Sequence, residues 1–236
     1  MPGVGAIVAA AGLGTRMGTP HPKQFMPIGG KPVLVHTLEA FERCPVIDEV
    51  CLVAREQEIG RARRLVADYS LRKVSTVISG GEVRQDSVYN GLLALDGVEI
   101  MVVHDGVRPL VLPETIAAAV DAAREFGAAT LATKVQETVK IVQEGLIVRT
   151  VDRGPLWTVQ TPQAFAYALL RDAHEQARAA GVVGTDDAML VERLGHQVRA
   201  VAGQIDNLKI STASDLSLAE AILARRMAAD AGRHRI

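Results

Sequence analysis

Residues 4–10, Val-Gly-Ala-Ile-Val-Ala-Ala, are apolar without a break, the pattern of a short strand covered on both faces of a parallel sheet. The segment that follows breaks this regularity. Gly12, Gly14, Gly18, Gly29 and Gly30, with Pro20, Pro22, Pro27 and Pro32, prevent a long helix from starting directly after the strand. Beyond it, Leu34, Leu38 and Phe41 recur at helical spacing across 33–43. Strand-like runs over 49–54, 74–78, 100–104 and 128–133 then alternate with helical patterns over 56–69, 86–95 and 113–126, the last with Pro113 in its first turn. That alternation predicts right-handed crossovers and an α/β fold with a mainly parallel sheet flanked by helices.

The period changes between 135 and 152. Two β-type runs, 137–142 and 146–151, flank Gln143-Glu144-Gly145, which reads as a hairpin. It has no evident place inside a βα alternation, so it is either a protruding β-hairpin arm serving subunit contact or a plain antiparallel sheet edge. Helices over 165–180, 186–194 and 214–229 and a strand over 197–201 complete the pattern, with neither a repeat nor a linker. A single domain over 1–236 is expected.

Composition narrows the function more than the fold. The balance of 26 basic against 27 acidic residues provides no global field toward nucleic acid or an anionic membrane, so local clusters must bind any anion. No apolar run approaches a membrane span. Two cysteines, Cys44 and Cys51, cannot build a disulfide framework or a Cys-rich zinc site and read as core thiols of a reducing compartment, which makes the cytoplasm the expected location.

Four groups of residues carry candidate chemistry. Gly12, Gly14, Arg16, Gly18 and Lys23 stand just past the first strand, where open α/β sheets bind ligands. Glycines there allow a polyphosphate to approach backbone N–H groups, and the cations add charge. The same glycines also suit a tight turn with solvated cations. The dinucleotide fingerprint fails because its third glycine falls on Met17, and the ATPase phosphate loop fails for want of Gly-Lys-Ser/Thr. The second group, His104-Asp105-Gly106-Val107-Arg108-Pro109, follows an apolar strand; Asp105 and Arg108 suit ligand hydroxyls and phosphate, or a local ion pair. His104 has no second His or Cys at metal-ligand spacing and reads as structural. The third group, Gly80-Gly81 with Ser87, either receives a planar base or caps a helix. Lys209 lies within an apolar strand-like pattern, either snorkelling at an edge or aimed into a site.

In order, Ala10-Ala11-Gly12-x-Gly14-x-Arg16-Met17, Pro22-Lys23-Gln24, Gly80-Gly81 with Arg84 and Asp86-Ser87-Val88, and His104-Asp105-x-x-Arg108-Pro109 resemble the motifs of the 2-C-methyl-D-erythritol 4-phosphate cytidylyltransferase family. The resemblance continues through Thr138-Val139-Lys140, Val151-Asp152-Arg153, Thr161-Pro162-Gln163, Thr185-Asp186-Asp187 and Asn207-Leu208-Lys209-Ile210. It implies a Rossmann-like sheet and a homodimer whose arms complete each other's sites. It also implies CTP, with Mg²⁺ carried mainly by the CTP phosphates and no metal site made of protein side chains. By resemblance Arg16, Lys23 and Lys209 are catalytic, while Ala10, Ala11, Gly12, Gly14, Gly81, Ser87 and Asp105 bind CTP. Asp105, Arg108, Thr138, Arg153, Thr161, Thr185 and Lys209 would bind the polyol phosphate. Ala9 and Gly106-Val107 depart from the family's usual Pro and Ala-Ala, changes of backbone shape beside the site rather than of charge. A ribitol 5-phosphate cytidylyltransferase shares the same key positions, and a non-catalytic nucleotide-binding protein would not need Arg16, Lys23 and Lys209 together.

Overall fold

The computed structural model describes residues 3–12 and 22–233. β1 (Val4–Ala9) is followed by a 3-10 turn (Lys23–Phe25) and a small hairpin of β2 (Pro27–Ile28) and β3 (Lys31–Pro32). Gly29 and Gly30 turn that hairpin with φ of 53° and 83°, backbone that side chains rarely adopt. The alternating part comprises α1 (Val33–Arg43), β4 (Glu49–Ala54), α2 (Ile59–Asp68), β5 (Val74–Ser79), α3 (Arg84–Ala94), β6 (Ile100–Asp105), α4 (Pro113–Phe126) and β7 (Ala128–Lys134). After it come β8 (Val139–Gln143), β9 (Leu146–Val151), β10 (Trp157–Ala166), α5 (Tyr167–Ala179), α6 (Asp187–Arg193), β11 (Arg199–Ala202) and α7 (Ala213–Arg233).

The main sheet has the order β11-β7-β10-β6-β1-β4-β5. All its strands run parallel except β10, which is antiparallel to both β6 and β7. The apolar run of β1 is explained by its central place, because both pleat faces are covered. Ala6 and Val8 pack with Leu34, Leu38 and Phe41 of α1 and with Ile116 and Val120 of α4. Ile7, on the opposite face, packs with Val88 and Leu92 of α3 and with Leu170 and Ala173 of α5. Each such aliphatic side chain taken fully out of water contributes about 1.5–3 kcal/mol. A third cluster seats Ala219 and Ile222 of α7 on Ile28, Val33, Leu110 and Ile210.

Two expectations are corrected. The helix expected over 165–180 begins only at Tyr167, because β10 occupies Trp157–Ala166 and buries Phe165 completely. This strand hides in the sequence because Gln160, Thr161 and Gln163 are polar yet buried, and its register shifts between Val159 and Gln163. Lys209 lies in no strand; its segment is extended and held by other means, given below. The hairpin β8–β9 forms a separate two-stranded sheet, which favours the arm over a strand at the main sheet's edge.

Candidate active site

The carboxyl ends of β1, β5 and β6 open into a cleft of about 350 Å³. Its walls combine Ala10, Ala11, Gly12, Gly81 and Ser87 with Lys23, Arg84, Asp105 and Lys209. Crossed hydrogen bonds fix the strand ends: Ala10 N–H donates to Val53 O, Gly80 N–H to Ala54 O and Gly106 N–H to Ala9 O, each at 2.8 Å.

Glycine at position 80 is demanded by packing rather than by φ. A Cβ there would lie 2.6 Å from both Ala11 Cβ and Ser87 Oγ, closing the space that brings β5's end against β1's. Ser87 uses its hydroxyl twice, accepting from Gly81 N–H (3.1 Å) and donating to Val83 O (3.2 Å). The result is a close approach of the two strand ends, which lets Ala11, Gly81 and Ser87 line one cleft together. On the other side, Gln24 Nε2 donates to Ala10 O at 2.9 Å, tying the 3-10 turn to β1 so that Lys23, 7% exposed, reaches the cleft.

Asp105 is the electrostatic centre. Its carboxylate meets Arg84 Nε at 3.1 Å, Lys209 Nζ at 2.9 Å and Arg108 Nε at 3.4 Å. Burial alone would push this carboxyl up, but Arg84, Lys209 and Arg108 outweigh it and hold it well below the usual carboxylate range. Lys209 gains its place from its neighbours: Asn207 Nδ2 donates to Thr161 O (2.8 Å) and Gln160 Oε1 (3.2 Å), and Ile210 N–H donates to Val107 O (2.9 Å). Asn207 O in turn accepts from Arg108 Nη1 at 2.9 Å.

A neutral relay lies behind these charges. Asp105 N–H donates to Thr161 Oγ1 (3.1 Å), the Thr161 hydroxyl donates to His104 Nδ1 (3.0 Å), and His104 Nε2–H donates to Arg108 O (3.4 Å). This tautomer satisfies every acceptor in the chain. His104 is fully buried against Phe41, and burial pushes its pKa down to about 3. Because the folded-state value lies below that of an unfolded histidine, about 6.5, the unfolded chain binds more protons between these limits. Urea midpoints measured from pH 8 to 4 are therefore expected to stay level above about 6.5 and to fall below it. A level profile throughout that range would contradict a buried neutral His104.

The structure brings Ala10, Ala11, Gly12, Lys23, Gly81, Ser87, Asp105 and Lys209 to one cleft, with Arg108 immediately behind Asp105. Thr161 lies beneath the cleft, its hydroxyl fully engaged in the relay. Thr138, Arg153 and Thr185 are exposed and away from it: Arg153 donates to Gln136 O at the arm's base, and Thr185 donates to Met189 Sδ. Gly14 and Arg16 lie outside the described residues. Sequence reasoning assigned no role to Arg84, Gln24 or Asn207; the signal for Arg84 was its position between Gly81 and Ser87, close to two residues already assigned.

A cleft that combines glycine-containing backbone with fixed cations at the carboxyl end of a parallel sheet is suited to moving a nucleotidyl group, since such transfer needs alignment and charge more than covalent help. Fold and site together define a nucleotidyltransferase. Residues 4–225 match the family model of 2-C-methyl-D-erythritol 4-phosphate cytidylyltransferase, and the chain belongs to that family. It is 48% identical to the enzyme of that name from Geobacillus kaustophilus, covering 94% of this chain and 98% of the relative. Identity with the one from Pelotomaculum thermopropionicum is 49%, over 94% and 95% of the two chains. Among solved structures, 4-diphosphocytidyl-2C-methyl-D-erythritol synthase from Anaerococcus prevotii superimposes with a TM-score of 0.83 at 33% identity, covering 94% of this chain and 96% of its own. The 2-C-methyl-D-erythritol 4-phosphate cytidylyltransferase of Thermus thermophilus gives 0.78 at 35%, with 95% and 100% covered. The expected fold and family resemblance agree with these findings.

Proposed function

We propose that the protein transfers CMP from CTP to 2-C-methyl-D-erythritol 4-phosphate, giving 4-diphosphocytidyl-2-C-methyl-D-erythritol and pyrophosphate. The observation that carries this reading is the cluster of Asp105 with Arg84, Arg108 and Lys209 at the cleft formed by the strand ends. A phosphate oxygen of the polyol phosphate attacks the α-phosphorus of CTP, and the bond to the bridging oxygen of pyrophosphate breaks. The nucleophile is already ionised, so no general base is required. Lys23 and Arg16 stabilise charge on the α-phosphate and the departing pyrophosphate, and Lys209 spans the α-phosphate and the attacking group. Ala10, Ala11, Gly12, Gly14, Gly81 and Ser87 hold the nucleotide. Asp105 holds hydroxyls, while Arg108 contributes charge for the polyol phosphate.

Mg²⁺ would enter with CTP. Both oxygens of Asp105 already face cations, which supports ligands drawn mainly from the phosphates. When bound, the ion neutralises phosphate charge.

The same proposal includes a homodimer in which Thr138 and Arg153, at the base of one arm, serve the partner's cleft; that neither lines its own cleft supports this. Thr161 acts from beneath the cleft, through Asp105 N–H and His104. The cytoplasm is the proposed location, supported by two free, buried cysteines. Among the described residues no helix is long and apolar enough to cross a membrane.

Pyrophosphate release, measured with each nucleoside triphosphate in turn, tests the base. CTP is expected to exceed ATP, GTP and UTP by at least about 100-fold in kcat/KM, as a site that pairs the polar edge of one base rejects the others. Comparable rates with a purine nucleotide would remove the proposed function.

A further inference from the structure

A line of charge leads from the cleft wall into the helical layer behind it. Arg84 faces two carboxylates, donating from Nε to Asp105 Oδ1 at 3.1 Å and from Nη1 to Asp187 Oδ2 at 2.7 Å. Asp187 sits in the first turn of α6 and is 1% exposed. Its second oxygen accepts from Nε2–H of the fully buried His174 at 3.0 Å. The backbone is pinned at the same point: Gln163 Oε1 accepts from the N–H groups of Asp187 (3.2 Å) and Ala188 (3.1 Å).

We propose that Asp187, acting through Arg84, is a positioning residue that sets the orientation of Asp105 and thereby of Lys209 for the polyol-phosphate half of the reaction. The inference rests on the roles given to Asp105 and Lys209 above. An arginine paired with Asp105 alone could swing into the cleft and bind the incoming phosphate itself. A second partner on the protein side fixes the guanidinium plane, and its fork geometry then dictates which oxygen of Asp105 it takes. Oδ2 is left for Lys209 and Arg108.

The charge count agrees. Arg84 and Asp187 neutralise one another, so Asp105 stands opposite two cations, and the surplus positive charge lies on the phosphate-accepting side. Stability gives little reason to keep such a pair, because the desolvation of buried ions offsets much of their attraction. Burial pushes the Asp187 carboxyl up, but Arg84 and His174 bring it below the usual range, so it stays anionic at neutral pH.

The test is a set of steady-state measurements on Asp187→Asn, Arg84→Lys and Asp105→Asn and on the doubles that pair each of the first two with the third. Asp187→Asn and Arg84→Lys are each expected to lower kcat/KM for the polyol phosphate about tenfold, as loss of an outer supporting contact does, with KM for CTP within about twofold. When Asp105 is already Asn, either change is expected to cost about twofold or less, because groups acting as one unit are not additive. Arg84→Lys keeps its charge at a partly exposed position, so it carries the comparison even if Asp187→Asn fails to fold. Wild-type kcat/KM in folded variants, or losses that add in full to that of Asp105→Asn, would overturn the inference. A wild-type enzyme inactive on CTP and methylerythritol phosphate would contradict the proposed function instead.

Discussion

Lys209→Ala lowers turnover by about 100-fold or more while leaving the protein folded. The expectation follows from what surrounds the ammonium. It is fixed 2.9 Å from Asp105 by a segment held at Asn207 and Ile210, so it meets the developing phosphate charge without reorganising. Removing one preorganised donor of this kind typically costs two to three orders of magnitude, about 3–4 kcal/mol of barrier. Stability should barely change. Lys209 is 39% exposed, and Asp105 retains Arg84 and Arg108, so the effect on unfolding should stay within about 1 kcal/mol. The contrast is the informative part, and pyrophosphate release beside a urea titration reads both halves. Turnover within about threefold of wild type, a barrier change near 0.7 kcal/mol, would remove Lys209 from the transition state.

A second large effect is expected from the arm. In Leu146→Glu/Ile147→Glu the proposed dimer should give way to monomer in sedimentation, and turnover should fall by about 10-fold or more. Leu146, Ile147 and Val148 are 74%, 66% and 54% exposed, on a hairpin that forms its own two-stranded sheet. An isolated two-stranded hairpin is marginal in water, and a run of apolar side chains at its tip marks a surface that another protein covers. The turnover loss comes from Thr138 and Arg153. If Arg153 reaches the partner's polyol phosphate, losing that charged hydrogen bond removes about 1.5–3 kcal/mol. A monomer with full turnover would show that each cleft is complete in its own chain. A variant that remains dimeric would place the interface elsewhere.

Both predictions draw on features that were unequally legible in the sequence. β1, α1, β4 and α4 could be read almost residue by residue, because each shows one clean period: apolar runs where both faces are covered, helical spacing where one is. β10 could not. Its buried positions include Gln160, Thr161 and Gln163, which look like loop residues and are inside because they satisfy Asn207, His104 and the start of α6. The strand that breaks the parallel sheet is thus the one that braces the site, and tertiary demand overrode its local pattern.

The site itself divides in a similar way. Glycines, lysines and the Asp-x-x-Arg segment stand close to strand ends, and strand ends can be found from hydropathy. Asp105 and Arg108 do form the local ion pair, and Asp105 lines the cleft, so the ion pair leaves the ligand-binding reading open. Arg84 and Asp187 were hidden because their meaning is their contact across 103 positions of chain, which no local spacing encodes. Thr161 illustrates the opposite case, a motif residue whose hydroxyl supports the backbone beneath the cleft.

The central claim is that the polyol phosphate attacks the α-phosphorus of CTP within this cleft. Phosphorus NMR of a reaction containing the protein, Mg²⁺, CTP and 2-C-methyl-D-erythritol 4-phosphate tests it most directly. The account predicts that the substrate's monophosphate signal is replaced by the paired signals of a diphosphate ester, in step with equimolar pyrophosphate. Ribitol 5-phosphate under the same conditions should leave CTP largely unconsumed. Release of inorganic phosphate, free CMP without a new diphosphate ester, or faster conversion of ribitol 5-phosphate would contradict it.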